Sequence, residues 1–457
     1  MTELVIMTNN VSPSPVQQVI AAHRRGEAAG LYSVCCSHPS VLRAAMRVAA
    51  TYGTVLLVEA TSNQVDQFGG YTGMTPPQFR DYVHELARAQ GFPLERLVLG
   101  GDHLGPNAWQ GLDAATAMDN AETLVAAYAA AGFHKIHLDC SMRCADDPQV
   151  LSDELIATRS AQLCIVAEQA AADAGLPPPL YVIGTEVPVP GGEANLAQAG
   201  AVTAPEAARR TLDVHRQAFL ARGLHAAWRR VIAMVVQPGV DFDHSNIQHY
   251  DAAQAAALSA FVAGQPGIVF EAHSTDYQRE SALHRMVRDH FAILKVGPAA
   301  TFALREGLAS LCHIEAELVP PGQASRLMQV LDEAMQRQPA HWARHYPGTM
   351  AEQRLLRRYG LSDRCRYYWG EAPVAAAVAK LLANLDAVDM PLSLLSQHLP
   401  EQYLEVLQGR LAASAGALLE HKIGRLLAQY ARACNRNAAA DDVVPAGASA
   451  ETAAAIF

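Results

Sequence analysis

The sequence predicts an α/β protein built as a closed (β/α)₈ barrel with a helical C-terminal extension. Three observations predict it. Short β-rich runs alternate with Ala-rich helical stretches, eight times over about 270 residues, which implies βαβ units and a parallel sheet. Reactive polar side chains collect where those runs end. After Pro298 the strand signal stops and helical segments follow. Eight units in that length favour closure over a doubly wound open sheet, the other topology such alternation allows.

The candidate strands are Leu31–Cys35, Val55–Glu59, Leu97–Gly101, Lys135–Asp139, Leu180–Thr185, Val231–Gln237, Ile268–Ala272 and Ala292–Val296. Helical periodicity fills Pro76–Gln90, Ala114–Ala131, Asp153–Ala174, Pro205–Arg222 and Ala252–Val262 between them. Further helices are expected over Thr301–Leu318, Gln323–Arg337, Met350–Arg358, Val374–Leu385 and Leu411–Arg432, punctuated by Pro320-Pro321-Gly322, Pro347-Gly348 and Gly370. The expected division is a barrel with the ligand site over 1–300, a helical extension packed on it over 301–434, and a disordered Ala-, Asp- and Ser-rich tail over 435–457.

Composition narrows the function. A chain of 457 residues, 50% hydrophobic and 18% charged, has ample material for a barrel-sized core. A net charge of −10 with no Lys/Arg stripe argues against nucleic-acid binding, although a local pocket can still take a small anion. Eight scattered cysteines form no C-x-x-C pair, and Met1 to Pro15 carries no basic-then-apolar leader. No apolar run approaches the roughly 18–20 residues that span a bilayer. A cytoplasmic location is the expectation.

The polar strand ends carry the chemistry. Alternation puts Lys135, His137 and Asp139 on one strand face, and Glu271 with His273 on another. Side chains buried in a barrel must be paired inside or lie at its C-terminal mouth. In Gly100-Gly101-Asp102-His103-Leu104-Gly105-Pro106-Asn107, the imidazole suits a divalent cation and the adjacent carboxylate suits proton transfer; an Asp-His turn capping the next helix is the plainer reading. His273 ends the seventh strand as a second ligand or a buried histidine bonded to a carbonyl. His244, in the Asp241/Asp243 loop, is a ligand or part of a solvated loop, and Glu186 after the fifth strand is a ligand or general base. Lys295, before Gly297-Pro298, suits phosphate at the last βα loops, or a pairing with a barrel carboxylate. Arg143 is a second phosphate candidate. Asp289-His290 precedes its strand and belongs to the opposite, stability face.

The strings EATSNQVDQFGGYTGMTP (from Glu59), GGDHLGPNAWQ (from Gly100), KIHLDCSM (from Lys135), YVIGTEVPVPGGEA (from Tyr181), VVQPGVDFDHSNI (from Val235), EAHSTDYQ (from Glu271) and HFAILKVGPAATFALRE (from His290) resemble the Z-type subunit of class II tagatose-1,6-bisphosphate aldolase. The resemblance runs from about Leu31 to His421. It implies a TIM-barrel fold, a role in tagatose, galactitol or amino-galactose catabolism, a phosphorylated ketohexose substrate, a separate Y-type aldolase subunit as partner and an oligomeric state. Some relatives are stand-alone epimerases of tagatose 6-phosphate and fructose 6-phosphate. On that resemblance a divalent metal, zinc, is expected on His103, His273 and either Glu186 or His244. Asp102, Glu186 and Asp139 are the expected catalytic groups, and Asn63, Gln64, Arg143, Ser274, Lys295 and Gly297 the expected substrate contacts.

Overall fold

A computed structural model describes residues 13–184 and 201–435. Eight parallel strands close a barrel: β1 Leu31–Val34, β2 Leu56–Thr61, β3 Leu97–Leu104, β4 Lys135–Leu138, β5 Leu180–Ile183, β6 Val231–Val236, β7 Val269–Ala272 and β8 Phe291–Val296. Each hydrogen-bonds its sequence neighbours, and β8 returns to β1. The helices that follow successive strands wrap the outside. Pro39–Tyr52 and Glu280–Arg288 are two that the sequence reading did not single out. A short antiparallel ribbon, Asp241–Phe242 with Ile247–Gln248, occupies the loop after β6. Among the described residues no helix is long and apolar enough to cross a membrane.

Two devices set the ends of the barrel. At the bottom, helix Pro15–Arg24 pushes Val16 and Ile20 among Leu31, Leu57, Val98 and Ile232, plugging the interior with apolar side chains. There His290 meets His23, Nδ1 to Nε2 at 2.9 Å. At the top, β3 runs on through Asp102 and His103 to Leu104, beyond the expected end at Gly101, but its register against β4 slips between Gly101 and Leu104. His103 takes a left-handed φ of 50° within that irregularity, which re-aims its ring into the mouth. Gly100 is required one turn of the pleat lower, because a Cβ there would stand 2.5 Å from the Glu59 carboxylate.

The helices after 298 pack back on the barrel. Ala415–Cys434 lies against helices Pro39–Tyr52, Glu280–Arg288 and Pro298–Leu318, and its Tyr430 hydroxyl donates to the Thr275 carbonyl at 2.7 Å. The helix expected from Gln323 begins at Leu327, because Ser325 bonds the Glu315 carboxylate and Arg326 is left-handed. Leu392–His398 and Pro400–Leu407 are additional short helices. The expected tail over 435–457 lies outside the described residues, Asn435 excepted.

The middle of the barrel is charged. Lys135 is fully buried, its ammonium 2.6 Å from Glu59 and 2.7 Å from Glu271, both also fully buried. Removing one member strands the others without solvent. Lys135→Met is therefore expected to cost about 3–5 kcal/mol, and adding Glu271→Gln, which restores the original charge balance, should recover part of it; denaturant unfolding of the three proteins measures both.

Candidate active site

The site grows from that charged layer. The Lys295 ammonium on β8 contacts Glu59, lies 2.8 Å from Asp102 Oδ1, and lies 3.6 Å from Glu271. Three carboxylates thus surround two ammonium groups, leaving one negative charge uncompensated beneath the mouth. Burial raises the cost of ionising Asp102, but Lys295 and His103 outweigh it and hold its carboxyl well below the usual range. Asp139 adds a second anion. Burial opposes its charge too, and the His103 hydrogen bond overcomes that.

Above the carboxylates stand three imidazoles. The His103, His137 and His273 ring centroids are separated by 5.0, 4.8 and 5.5 Å. His103 Nδ1 lies 2.7 Å from Asp139 Oδ2, and Asp139 Oδ1 accepts from the Ser141 amide and hydroxyl at 3.0 and 2.6 Å. His273 Nε2 lies 3.0 Å from Glu271, and His137 Nδ1 lies 3.2 Å from Asp102. Each ring is oriented by a carboxylate, the arrangement that supports a ligating histidine. His137 Nε2 is buried with no hydrogen-bond partner among the described residues. Potential donor atoms of Asp102, His103, His137 and His273 all lie within 4.8 Å of one another. The set fits a divalent ion: imidazole-rich, beside two uncompensated carboxylates, and with a fourth position open if Asp102 stays free.

His103 and His273 titrate apart. Burial disfavours the His103 imidazolium, yet Asp102 and the Asp139 hydrogen bond prevail and raise it to about 9. Burial dominates at His273 and, despite the Glu271 contact, lowers it to about 4.

A cavity of about 720 Å³ opens over His103 and His273. Asp102, His103, Asp139, His273, Asn63, Gln64, Ser274, Lys295 and Gly297 line it. Ser274, left-handed at φ 53°, buries a hydroxyl that has no partner among the described residues. Gln64 holds the Thr61 amide at 2.9 Å, and Asn63 is exposed.

Four expectations need restating. His244 is not at the centre: its Nδ1 lies 2.9 Å from Ser362 Oγ and its Nε2 2.7 Å from the His345 carbonyl, so it fastens the extension. Arg143 is exposed and donates to the Asp147 carbonyl at 2.9 Å, away from the cavity lining. Lys295 and Gly297 are engaged within the protein, the lysine by carboxylates and the Gly297 amide by Asp276 Oδ1 at 3.0 Å. Neither is free for phosphate. Glu186 lies outside the described residues. The third imidazole, His137, was visible as the inward residue two before Asp139, but nothing in the sequence separated it from a buried structural histidine. The arginines of the extension that reach the cavity, Arg344, Arg364 and Arg366, were also missed.

An eight-stranded parallel barrel that gathers imidazoles, carboxylates and a buried lysine at its C-terminal mouth belongs to the barrels with a strand-end active site. The family model of the D-tagatose-1,6-bisphosphate aldolase subunit GatZ/KbaZ-like proteins matches residues 16–435, and the chain belongs to that family. A crystal structure of a probable tagatose 6 phosphate kinase from Sinorhizobium meliloti 1021 is similar at 47% identity and TM-score 0.82, covering 89% of this chain and all of that one (100%). A fructose-bisphosphate aldolase from Campylobacter jejuni aligns at 12% identity and TM-score 0.41, covering 83% of this chain and 96% of that one. The YdjI aldolase from Escherichia coli K12 aligns at 10% and 0.38, covering 78% and 96%.

The raised His103 value gives a signed pH prediction. In metal-free protein its contribution to stability is fully present below about 6.5, its ordinary value, and is lost as pH rises through about 9. Unfolding free energy measured across that window should fall, and His103→Gln should remove most of the slope.

Proposed function

We propose that this chain is the Z-type subunit of tagatose-1,6-bisphosphate aldolase, acting in tagatose and galactitol catabolism, and that its barrel mouth is a working aldol site for phosphorylated ketohexoses. The observation that carries this reading is the convergence of His103, His273 and an ionised Asp102 on one cavity, with the unpartnered Nε2 of His137 buried within reach of the same point.

His103, His137 and His273 would hold the metal, and a dication there, zinc by the donor set, would polarise the ketose carbonyl and offset the charge left when C3–C4 opens. Asp102 takes the proton from the C4 hydroxyl and returns it. Lys295 keeps Asp102 ionised and fixes its orientation. Asp139 and Glu271 act on His103 and His273 as positioning residues. The unpartnered Ser274 hydroxyl and the Asn63 amide are placed to meet sugar hydroxyls.

One observation favours a second reading, a stand-alone metal-dependent 4-epimerase. The extension's His341, His345, Arg364 and Tyr367 line the same cavity, forming a roof that would retain the aldehyde fragment until the bond re-forms on its other face. Incubation of the purified chain with zinc and either fructose 6-phosphate or tagatose 1,6-bisphosphate distinguishes the two. Tagatose 6-phosphate formed from fructose 6-phosphate by the chain alone identifies the epimerase; triose phosphates released from the bisphosphate only after a Y-type subunit is added identify the aldolase subunit; and neither product under any of these conditions removes both.

His137→Ala is expected to lower bound zinc to well below one per chain and activity by about 100-fold or more, since losing only a partner that orients a ligand already costs roughly 10- to 100-fold. Metal analysis of the folded variant checks it. Full occupancy would remove His137 from the ligand set.

A further inference from the structure

The helix N-terminus at Pro298, where a barrel of this kind often receives phosphate, is already occupied by the protein. Asp276 Oδ1 accepts from the Gly297 amide at 3.0 Å and the Ala299 amide at 2.7 Å, placing a carboxylate where an anion would bind. A phosphorylated ligand in this cavity must be held elsewhere.

The extension supplies the cations. Arg364 is only 3% exposed, yet among the described residues its guanidinium has no carboxylate partner. Nη1 donates to the His341 carbonyl at 2.9 Å, while Nε and Nη2 have no hydrogen-bond partner. Arg366 donates to the Ser362 carbonyl, to the Asp363 carbonyl at 3.3 Å and to the Tyr367 hydroxyl at 2.9 Å, again without an ion pair. The obvious local counter-ion, Asp363, is engaged by Arg305 at 2.8 Å and Thr301 at 2.6 Å, which fixes this turn to helix Pro298–Leu318. Burial would raise the Tyr367 phenol, but Arg366 and Arg364 outweigh it and lower it, a sign of the positive field at this wall. Arg344 stands exposed at the rim, and all three arginines line the cavity that His103 and His273 also line. A buried guanidinium with free donors is costly unless an anion completes it. Its planar fork matches phosphate oxygens.

We propose that Arg364 and Arg366, with Arg344 at the rim, form the phosphomonoester subsite of this cavity, so that the C-terminal extension and not the last barrel strand selects phosphorylated substrates. Such a subsite rests on reading the cavity as a sugar-phosphate site, yet its affinity for inorganic phosphate is measurable whether or not the barrel turns sugars over.

Calorimetric titration of the full chain with inorganic phosphate, alongside thermal unfolding, provides the test. The wild type should bind, and Arg364→Met should bind about ten- to hundredfold more weakly with an unchanged or higher Tm, because the uncompensated buried charge is gone. Equal affinity in both proteins overturns the subsite, even where the wild type converts fructose 6-phosphate. Phosphate binding through Arg364 in a chain that converts no ketose phosphate upholds the subsite and removes the proposed activity. Should Arg364→Met fail to fold, the exposed Arg344→Ala decides: weaker phosphate binding upholds the subsite, and unchanged binding overturns it.

Discussion

Inside this barrel three carboxylates, Glu59, Asp102 and Glu271, enclose two ammonium groups, Lys135 and Lys295, with almost no solvent. A low-dielectric interior does not tolerate a residual anion without a counter-charge. Much of the mouth follows from that constraint. Asp102 stays ionised because Lys295 sits beneath it, His103 is drawn toward its cationic form, and a dication among the imidazoles would complete the balance. Asp102 and Glu271 also orient the His137 and His273 rings, and Asp139 the His103 ring, so electrostatic compensation and ligand geometry share a cause.

The roof depends on the barrel in turn. His244 in the loop after β6 is fastened to Ser362 and His345; Tyr277, after β7, donates to the Leu361 carbonyl at 2.6 Å; and Arg305 and Thr301, after β8, hold Asp363. Two successive strand-end loops and the helix after β8 therefore position the segment that carries Arg364 and Arg366. The extension is part of the cavity wall, and its polar contacts make it answer to the loops that bear the imidazoles.

The barrel was legible because strand-length apolar runs recur with helices between them and end in polar residues. Its strand limits moved where hydrogen bonding continued past the apolar run, as at Asp102 and His103 in β3. Recognition of Asp102, His103 and His273 as mouth residues followed from their position at strand ends. His137 was harder: one pleat deeper than Asp139, it carries the same sequence signal as a core histidine. The ligand reading of His244 and the phosphate reading of Lys295 fail for a physical reason, while the carboxylate pairing also expected of Lys295 is present. Each residue is of a type that binds ligands and lies at or beyond a strand end, and each is satisfied by partners far away in sequence, Ser362 in one case and Glu59 in the other. The arginine wall left no trace in periodicity, because nothing local in 338–371 specifies that it folds over a barrel more than 40 residues earlier.

Anomalous diffraction from crystals of the full chain grown with zinc, recorded on both sides of the metal's absorption edge, bears most directly on the charge balance described above. The arrangement predicts a single strong peak about 2.0–2.1 Å from one nitrogen each of His103, His137 and His273, with Asp139 and Glu271 still bonded to their rings. A mouth without a peak, or an ion ligated elsewhere while the three imidazoles remain unoccupied, would contradict it.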